Sequence, residues 1–407
     1  MKTKRITALM LSLMLTVSLA ACAGETAPST GNANTTDGAD AAATDDSGEA
    51  AATDDGGDIL IGASIGTTGA TPLDGERVKQ AVELAIKEAN ENGGILGGRQ
   101  VKLQVEDNAA DQTTCINVAN KLISAGSVAV LGPHESTNAM AVQQLMSEKK
   151  IPFITGGTSP SLATVNNEYM FRCRASDVIM SGISARYAID TLKTQKVGIL
   201  YNNNEYGTGA LNVVKPIFDE AGIEYIEEGH NTGDKDVTAS LMKIKQAGCD
   251  TIFTWSHAAE TVVIARQIQE LGLEVNVVSS PSPTLPQVWE LCEPEWLEGW
   301  YAAADFVSTS DEPHVMEFVE KFKAEYGVEP EMFAASWYGA AKALIDAIDR
   351  AGSTDPEAIR DALAATSGFQ GIVGEISCDA ENAFIHEGKI VTIKNLSNEL
   401  VDSIKMN

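Results

Sequence analysis

The sequence predicts an α/β protein with parallel sheets covered by helices on both faces. Two observations carry that reading. From Ile59 onward, short apolar runs alternate with amphipathic stretches of helical length. Neighbouring strands separated by helix-sized connections pair in parallel, because a parallel crossover cannot be made with a tight turn. A third observation sets the scale. About 350 residues follow the first 58, a length that suits two domains rather than one.

Taken in order, Ile59 to Ile65 is a compact strand-like run. Arg77 to Asn92 reads as a helix, because Val78, Ala81, Val82, Ala85, Ile86 and Ala89 recur at steps of three and four. Gly93-Gly94 stops it. Strands are expected at 101–105, 128–131 and 151–154, with helices at 111–125 and 138–149. The alternation continues with strands at 197–201, 223–227, 251–254 and 274–278, and helices at 207–222, 237–247 and 258–272. The last third is different. Helices at 312–326, 332–351 and 356–365 precede strand-like stretches near 371–378 and 389–395. This tail is too helical to form its own doubly wound domain, so it is expected to complete a sheet begun earlier.

The front end reads as an address and a tether. Lys2, Lys4 and Arg5 precede an uncharged, mostly apolar run from Ile6 to Leu19. That run is shorter than the roughly 20 residues a membrane-spanning helix needs, and it fits a secretory signal over residues 1–21. Leu19-Ala20-Ala21-Cys22 resembles the bacterial lipobox, which implies cleavage before Cys22 and a lipid on its thiol. Residues 23–58 contain nine acids, no Lys or Arg and no large apolar residue. Such a tract cannot bury enough apolar surface to order itself, so a disordered linker over 22–58 is expected. No later segment is long and apolar enough to span a membrane.

Composition narrows the partners. The chain has 29 basic and 57 acidic residues, a net charge of −28. A strongly acidic surface argues against nucleic acid or anionic lipid as the partner. Beyond Cys22, the cysteines Cys115, Cys173, Cys249, Cys292 and Cys378 are scattered without a close pair. They do not form a metal pattern, and most read as small buried hydrophobes. No HExxH, GxxxxGK[ST] or post-strand GxGxxG is present. The formal GxSxG at Gly62 to Gly66 puts Ser64 inside a strand rather than on a strand-to-helix turn. His134 and His257 fall at strand ends, whereas His230, His314 and His386 read as loop or surface residues. No catalysis, cofactor or metal is expected.

Binding chemistry gathers in loops. In open α/β sheets ligands sit at the C-terminal ends of strands. Three such loops here are rich in glycines and hydroxyls: Gly66 to Ala70, Gly132 to Thr137 and Thr155 to Pro160. They suit a carboxylate or another small anion, because they present N–H and O–H donors at helix N-termini. A facing set follows later strands: Asn202 to Gly207 with Tyr206, then Trp255-Ser256-His257, then Ser279 to Pro283 with Ser282. Tyr206 and Trp255 offer flat apolar faces with a polar handle.

The stretch from Ile59 to about Lys394 resembles the substrate-binding proteins of ABC importers of the leucine/isoleucine/valine-binding type. The resemblance rests on "NENGGILGGRQVKLQVED", "VLGPHEST", "IPFITGGTSPSL" and "NNEYGTG", in that order. It implies a type I periplasmic binding protein: two Rossmann-like lobes joined by a three-strand hinge, closing on a ligand between them. The crossings should fall near residues 176, 303 and 385. That makes 59–176 with 304–385 the N-terminal lobe and 177–303 with 386–407 the C-terminal lobe. The resemblance also implies a carboxylate held by Ser136 and Ser159, with Thr137, Gly157 and Thr158 beside them. Ser159 stands where the family has Thr. Tyr206 matches the family's tyrosine, and a second ring contact falls near His257, next to Trp255.

One departure stands out. The family's acid for a ligand ammonium should lie near Pro281 or Ser282, and neither is acidic. Either Glu135 or Glu205 substitutes, or the ligand is a carboxylate or amide without an ammonium, since a buried ammonium needs a counter-charge.

The expected role is capture of a small amino acid or related carboxylate outside the cytoplasm. The expected partners are ABC permease and ATPase subunits, with the membrane reached only through the lipid anchor and no nucleic acid involved. The chain is expected to act as a monomer. A sensor of the same fold and a tethered enzyme are the alternatives. Radiolabelled palmitate should enter the wild-type chain and be lost in Cys22→Ala. Equal labelling of the two would remove the anchor.

Overall fold

The computed structural model describes residues 56–405. The expected signal segment, Cys22 and the acid-rich tract up to residue 55 lie outside the described residues.

Five parallel strands make the first sheet: β1 (Ile59–Ile65), β2 (Val101–Asp107), β3 (Ala129–Leu131), β4 (Phe153–Thr155) and β5 (Met170–Arg172). Their spatial order is β2-β1-β3-β4-β5. The connections carry α1 (Pro72–Glu91), α2 (Gln112–Ser124), α3 (Ser136–Glu148) and the single turn α4 (Ser161–Thr164). Alternate residues face opposite sides, as the pleat requires. Ala129, Leu131 and Ile154 join the core shared with α1, while Val130 and Phe153 join a second core with Cys115, Leu122 and Val142.

The chain then passes through α5 (Asp177–Asp190) into the second unit of alternation. There β6 (Lys196–Asn202), α6 (Glu205–Ala221), β7 (Glu224–His230), α7 (Thr238–Gln246), β8 (Thr251–Trp255), α8 (Ala258–Glu270) and β9 (Asn276–Ser279) follow one another. Two short helices, α9 (Pro286–Trp289) and α10 (Pro294–Leu297), lead to β10 (Tyr301–Ala304). The tail adds α11 (Pro313–Tyr326), α12 (Met332–Ala351), α13 (Pro356–Ala364), the two-residue strands β11 (Phe369–Gln370) and β12 (Glu375–Ile376), β13 (Glu387–Ile393) and β14 (Asn398–Lys405). The second sheet runs β14-β13-β10-β9-β8-β6-β7. Its strands are parallel from β6 to β10, whereas β13 and β14 are antiparallel.

The tail does return to the first sheet, but mainly with helices. α12 packs along α1, and its Ala, Leu and Ile side chains enter the shared core. Only a single bridge, Ala383 beside Arg172, reaches the edge of the first sheet. The expected strand at 371–378 is instead a small hairpin of β11 and β12.

The single-turn helices α4, α9 and α10 fall outside the sequence pattern, and so do β5, α5, β10 and β14. β5 is Met-Phe-Arg, and its closing arginine, though buried, breaks any apolar run. β10 reads YAAA, and alanine has little strand preference. β14 is a polar edge strand whose Leu400 and Val401 are exposed. α5 buries Met180, Ile183, Ala185, Tyr187 and Ala188, positions that spread around the helix and leave no stripe.

At the end of β3 the backbone of Gly132 has φ +104°, and a Cβ there would lie 2.0 Å from the Ser64 carbonyl oxygen. Only glycine allows that approach. Gly132→Ala should therefore destabilise the fold by roughly 1–3 kcal/mol, read as a lower urea midpoint. An unchanged midpoint would mean the loop tolerates a side chain.

Candidate functional site

The C-terminal ends of the parallel strands in both sheets border a cavity of about 30 Å³. That is room for a water molecule or two, so a larger solute enters only if the walls part. His134, Glu135, Ser136, Gly156, Thr158 and Arg174 line it from the first sheet's loops, and Asp74 from the first turn of α1. Tyr206, His257 and Ser282 line it from the second sheet's loops, with Met332 and Phe333 from the start of α12.

Ser136 opens α3, and the residue before it, Glu135, makes no side-chain cap. The positive end of this helix is therefore open toward the cavity. The Ser136 Oγ accepts the N–H groups of Thr158 and Ser159, both at 3.1 Å. Two accepted bonds occupy its lone pairs and leave the O–H as a donor with no acceptor among the described residues. The loop's other donors are used internally. The Gly157 N–H goes to Thr155 Oγ1 at 3.1 Å, and the Thr158 hydroxyl donates to Asp177 at 2.9 Å.

The remaining expected residues are spread around this centre. Ser159 turns away to Ser161 Oγ at 2.9 Å, and Thr137 Oγ1 accepts the Glu205 N–H at 3.3 Å; neither lines the cavity. Gly157 sits behind the wall, where Gly156 is the lining residue. Trp255 is fully buried, stacked on Phe253 at 5.4 Å, and lies under Tyr206. Tyr206 stacks on His257 at 4.9 Å.

Asn204 fixes that ring. Its Oδ1 caps α6 by accepting the Gly207 N–H at 3.1 Å, so its NH₂ faces His257 Nε2 at 3.0 Å. His257 Nε2 must then accept, which makes the ring neutral. Burial lowers its pKa in the same sense. Ser282 donates to the Ser256 carbonyl at 2.8 Å. His230 is not a surface residue: it is buried at the end of β7 and bonds Ser256 Oγ at 2.7 Å.

The two acids considered for an ammonium differ in position. Glu135 lines the cavity but already accepts from Thr71 Oγ1 and from Asn138 at 3.1 Å, and lies 3.0 Å from His134. Glu205 lies outside the lining and accepts from Ser161 Oγ at 2.8 Å. Sequence reasoning missed Asp74 and Arg174. Arg174 is buried, donates to Asp305 at 2.8 Å, and lies 5.0 Å over the Phe333 ring. Asp74 was hidden because the helical stripe becomes visible only from Arg77 onward, which left Asp74 in an apparent loop. Its placement beside Pro72, a residue favoured at a helix start, was the available signal.

Among the described residues all five cysteines are free, and no cluster could hold a metal ion. No described helix is long and apolar enough to cross a membrane.

A strand-end cleft between two doubly wound sheets is the arrangement of a type I periplasmic binding protein. The chain belongs to the periplasmic binding protein family, whose model matches residues 58–398. It is similar to a Leu/Ile/Val-binding protein homolog of Brucella abortus, 31% identical over 80% of this chain and 87% of that one. Among solved structures it is similar to a leucine-binding protein of Thermotoga maritima, with TM-score 0.80 and 26% identity over 85% of this chain and 99% of that one. It also shares its fold with a solute-binding protein of an ABC transporter from Rhodopseudomonas palustris, solved with 3,4-dihydroxybenzoic acid, at TM-score 0.76 and 22% identity over 85% and 97% of the two chains.

Burial pushes the Asp177 carboxyl up to about 7, against the pull of Thr158 and Arg174. Burial does the same to Glu331, also to about 7, although two backbone amides oppose it. In an unfolded chain both would titrate near ~4. The folded protein thus holds these two extra protons between about pH 4 and about 7, so the contribution of the two groups to stability falls as pH rises through that window and levels off above it. Asp177→Asn and Glu331→Gln should each flatten the plot of Tm against pH there. Curves parallel to the parent's would show that these carboxyls titrate normally.

Proposed function

We propose that this chain is an extracytoplasmic solute-binding lipoprotein of an ABC importer. It captures a small amino acid or related carboxylate between two lobes and delivers it to the permease. The observation that carries the reading is the free Ser136 O–H at the uncapped N-terminus of α3, facing the Tyr206 and His257 rings across the cleft. A carboxylate accepts that hydrogen and gains from the helix end. The rings supply apolar area opposite it.

The lobes are 59–176 with 304–385 and 177–303 with 386–407. Ligand touches both walls only when they are closed, so it shifts the population toward closure. No covalent step is involved, and Cys22 supplies the tether. The likeness to a Leu/Ile/Val-binding homolog supports an amino acid as the first ligand to try.

A thermal-shift panel of amino acids and small carboxylates on residues 56–407 tests the role. A ligand at a hundred times its Kd should add about 2.7 kcal/mol of stability. No shift with any member would sink the proposal. With a ligand in hand, Ser136→Ala should weaken calorimetric affinity about tenfold or more. Equal affinity would take Ser136 out of the site.

A further inference from the structure

Pro281 and Ser282 bring no acid to the second wall of the cleft, and the Ser282 hydroxyl is already committed to Ser256. Two acids, Asp74 and Glu135, nevertheless line the cavity. Glu135 and the buried carboxyls near the lining, Asp177, Asp305 and Glu331, each have a partner. Glu135 accepts from Thr71 and Asn138 and meets His134; Asp177 accepts from Thr158; Asp305 pairs with Arg174; Glu331 caps α12 through the Phe333 and Ala334 amides. Asp74 is different. It is 3% exposed and its Oδ1 has no hydrogen-bond partner; Asp305 Oδ1 and Glu260 Oε2 share that property, but of the three only Asp74 lines the cavity.

Arg174 is the one arginine or lysine in the lining, and Asp305 already holds it at 2.8 Å. The other ionisable groups that act on Asp74 are the acids Glu331, Glu135 and Glu260. Burial first, and then these acids, push the Asp74 carboxyl well above the usual carboxylate range, so alone it holds a proton, and a cation beside it favours the charged form. A small cation brought by the solute does this in the cavity that Ser136 also lines.

We infer that Asp74 is the receptor for a ligand ammonium, so that both the carboxylate and the amine of the solute are held by the first sheet's side of the cleft. This rests on the solute-binding role proposed above. It makes Asp74 the group that selects amino acids over acids of the same skeleton without the amine. It also leaves the second wall, with Tyr206 and His257, to contact the side chain and close the site.

The test compares matched pairs by calorimetry on the parent and on Asp74→Asn: leucine with isocaproate, valine with isovalerate, and phenylalanine with hydrocinnamate. The parent should prefer the amino acid of the best-bound pair by about 10–100-fold. Asp74→Asn should lose that preference by weakening the amino acid alone, while its circular dichroism stays that of the parent. Asp74→Glu, which keeps the charge, should retain part of the preference. Parent binding of the des-amino acid as tightly as the amino acid would overturn the inference and leave the solute-binding role standing. So would an Asp74→Asn variant that keeps the parent's preference, or one that loses both members of the pair in equal proportion. Binding of no pair by the parent would reject the amino-acid role and this inference together.

Discussion

The buried pair of Arg174 and Asp305 holds together the region on which the cleft depends. Arg174 follows the last strand of the first sheet, and Asp305 follows β10 of the second, so the 2.8 Å contact joins two segments that run between the sheets. The same guanidinium lies over Phe333 at the start of α12 and places the tail helix against the cavity. Burial alone would lower the pKa of Arg174, but the Asp305 charge outweighs it and raises it. Neither partner is replaceable alone, because removing one leaves the other charged and buried at a cost of about 3–5 kcal/mol. The pair is less an ornament of stability than a fixed point about which two walls are arranged.

Around that point the cavity is built from groups that satisfy one another, with a few left open. The N–H groups of the Thr158 loop converge on Ser136 instead of pointing outward. Their effect is transmitted through a single hydroxyl: with both lone pairs occupied, Ser136 donates and does not accept. An acceptor such as a carboxylate is matched, and a donor there is not. Asp74 is the reverse case, an acceptor without a donor. The zwitterion proposed above would fill both.

The lips of the cleft show how the walls meet. Ser161 donates to Glu205, whose own N–H donates to Thr137, so a residue at the start of α6 bonds to both α3 and α4. Gly209 lies where a Cβ would come 2.5 Å from Ser159 Oγ, which lets α6 approach that loop. These contacts are few and polar, and exchange readily with water bonds. Such an edge fits the closure and release proposed above better than a broad apolar seam would.

The sequence by itself determined the alternation of strands and helices, because apolar period and Gly stops are local properties. The loops at the strand ends were legible for the same reason, and so were Ser136, Tyr206 and His257 as residues on them. Short or evenly buried elements were not. β5 and β10 owe their strand form to neighbours on either side, and α5 is covered on too many faces to show a stripe. Only the tertiary structure decided which loop residues face the cavity. Ser159 and Thr137 sit a residue or two from Ser136 and Thr158, yet turn to other partners. It also decided that Asp74 and Arg174 meet there, drawn from α1 and from the chain after β5. The physical reason is that burial and pairing are properties of the space around a charge. That space is assembled from segments far apart in the chain, and no local pattern records it.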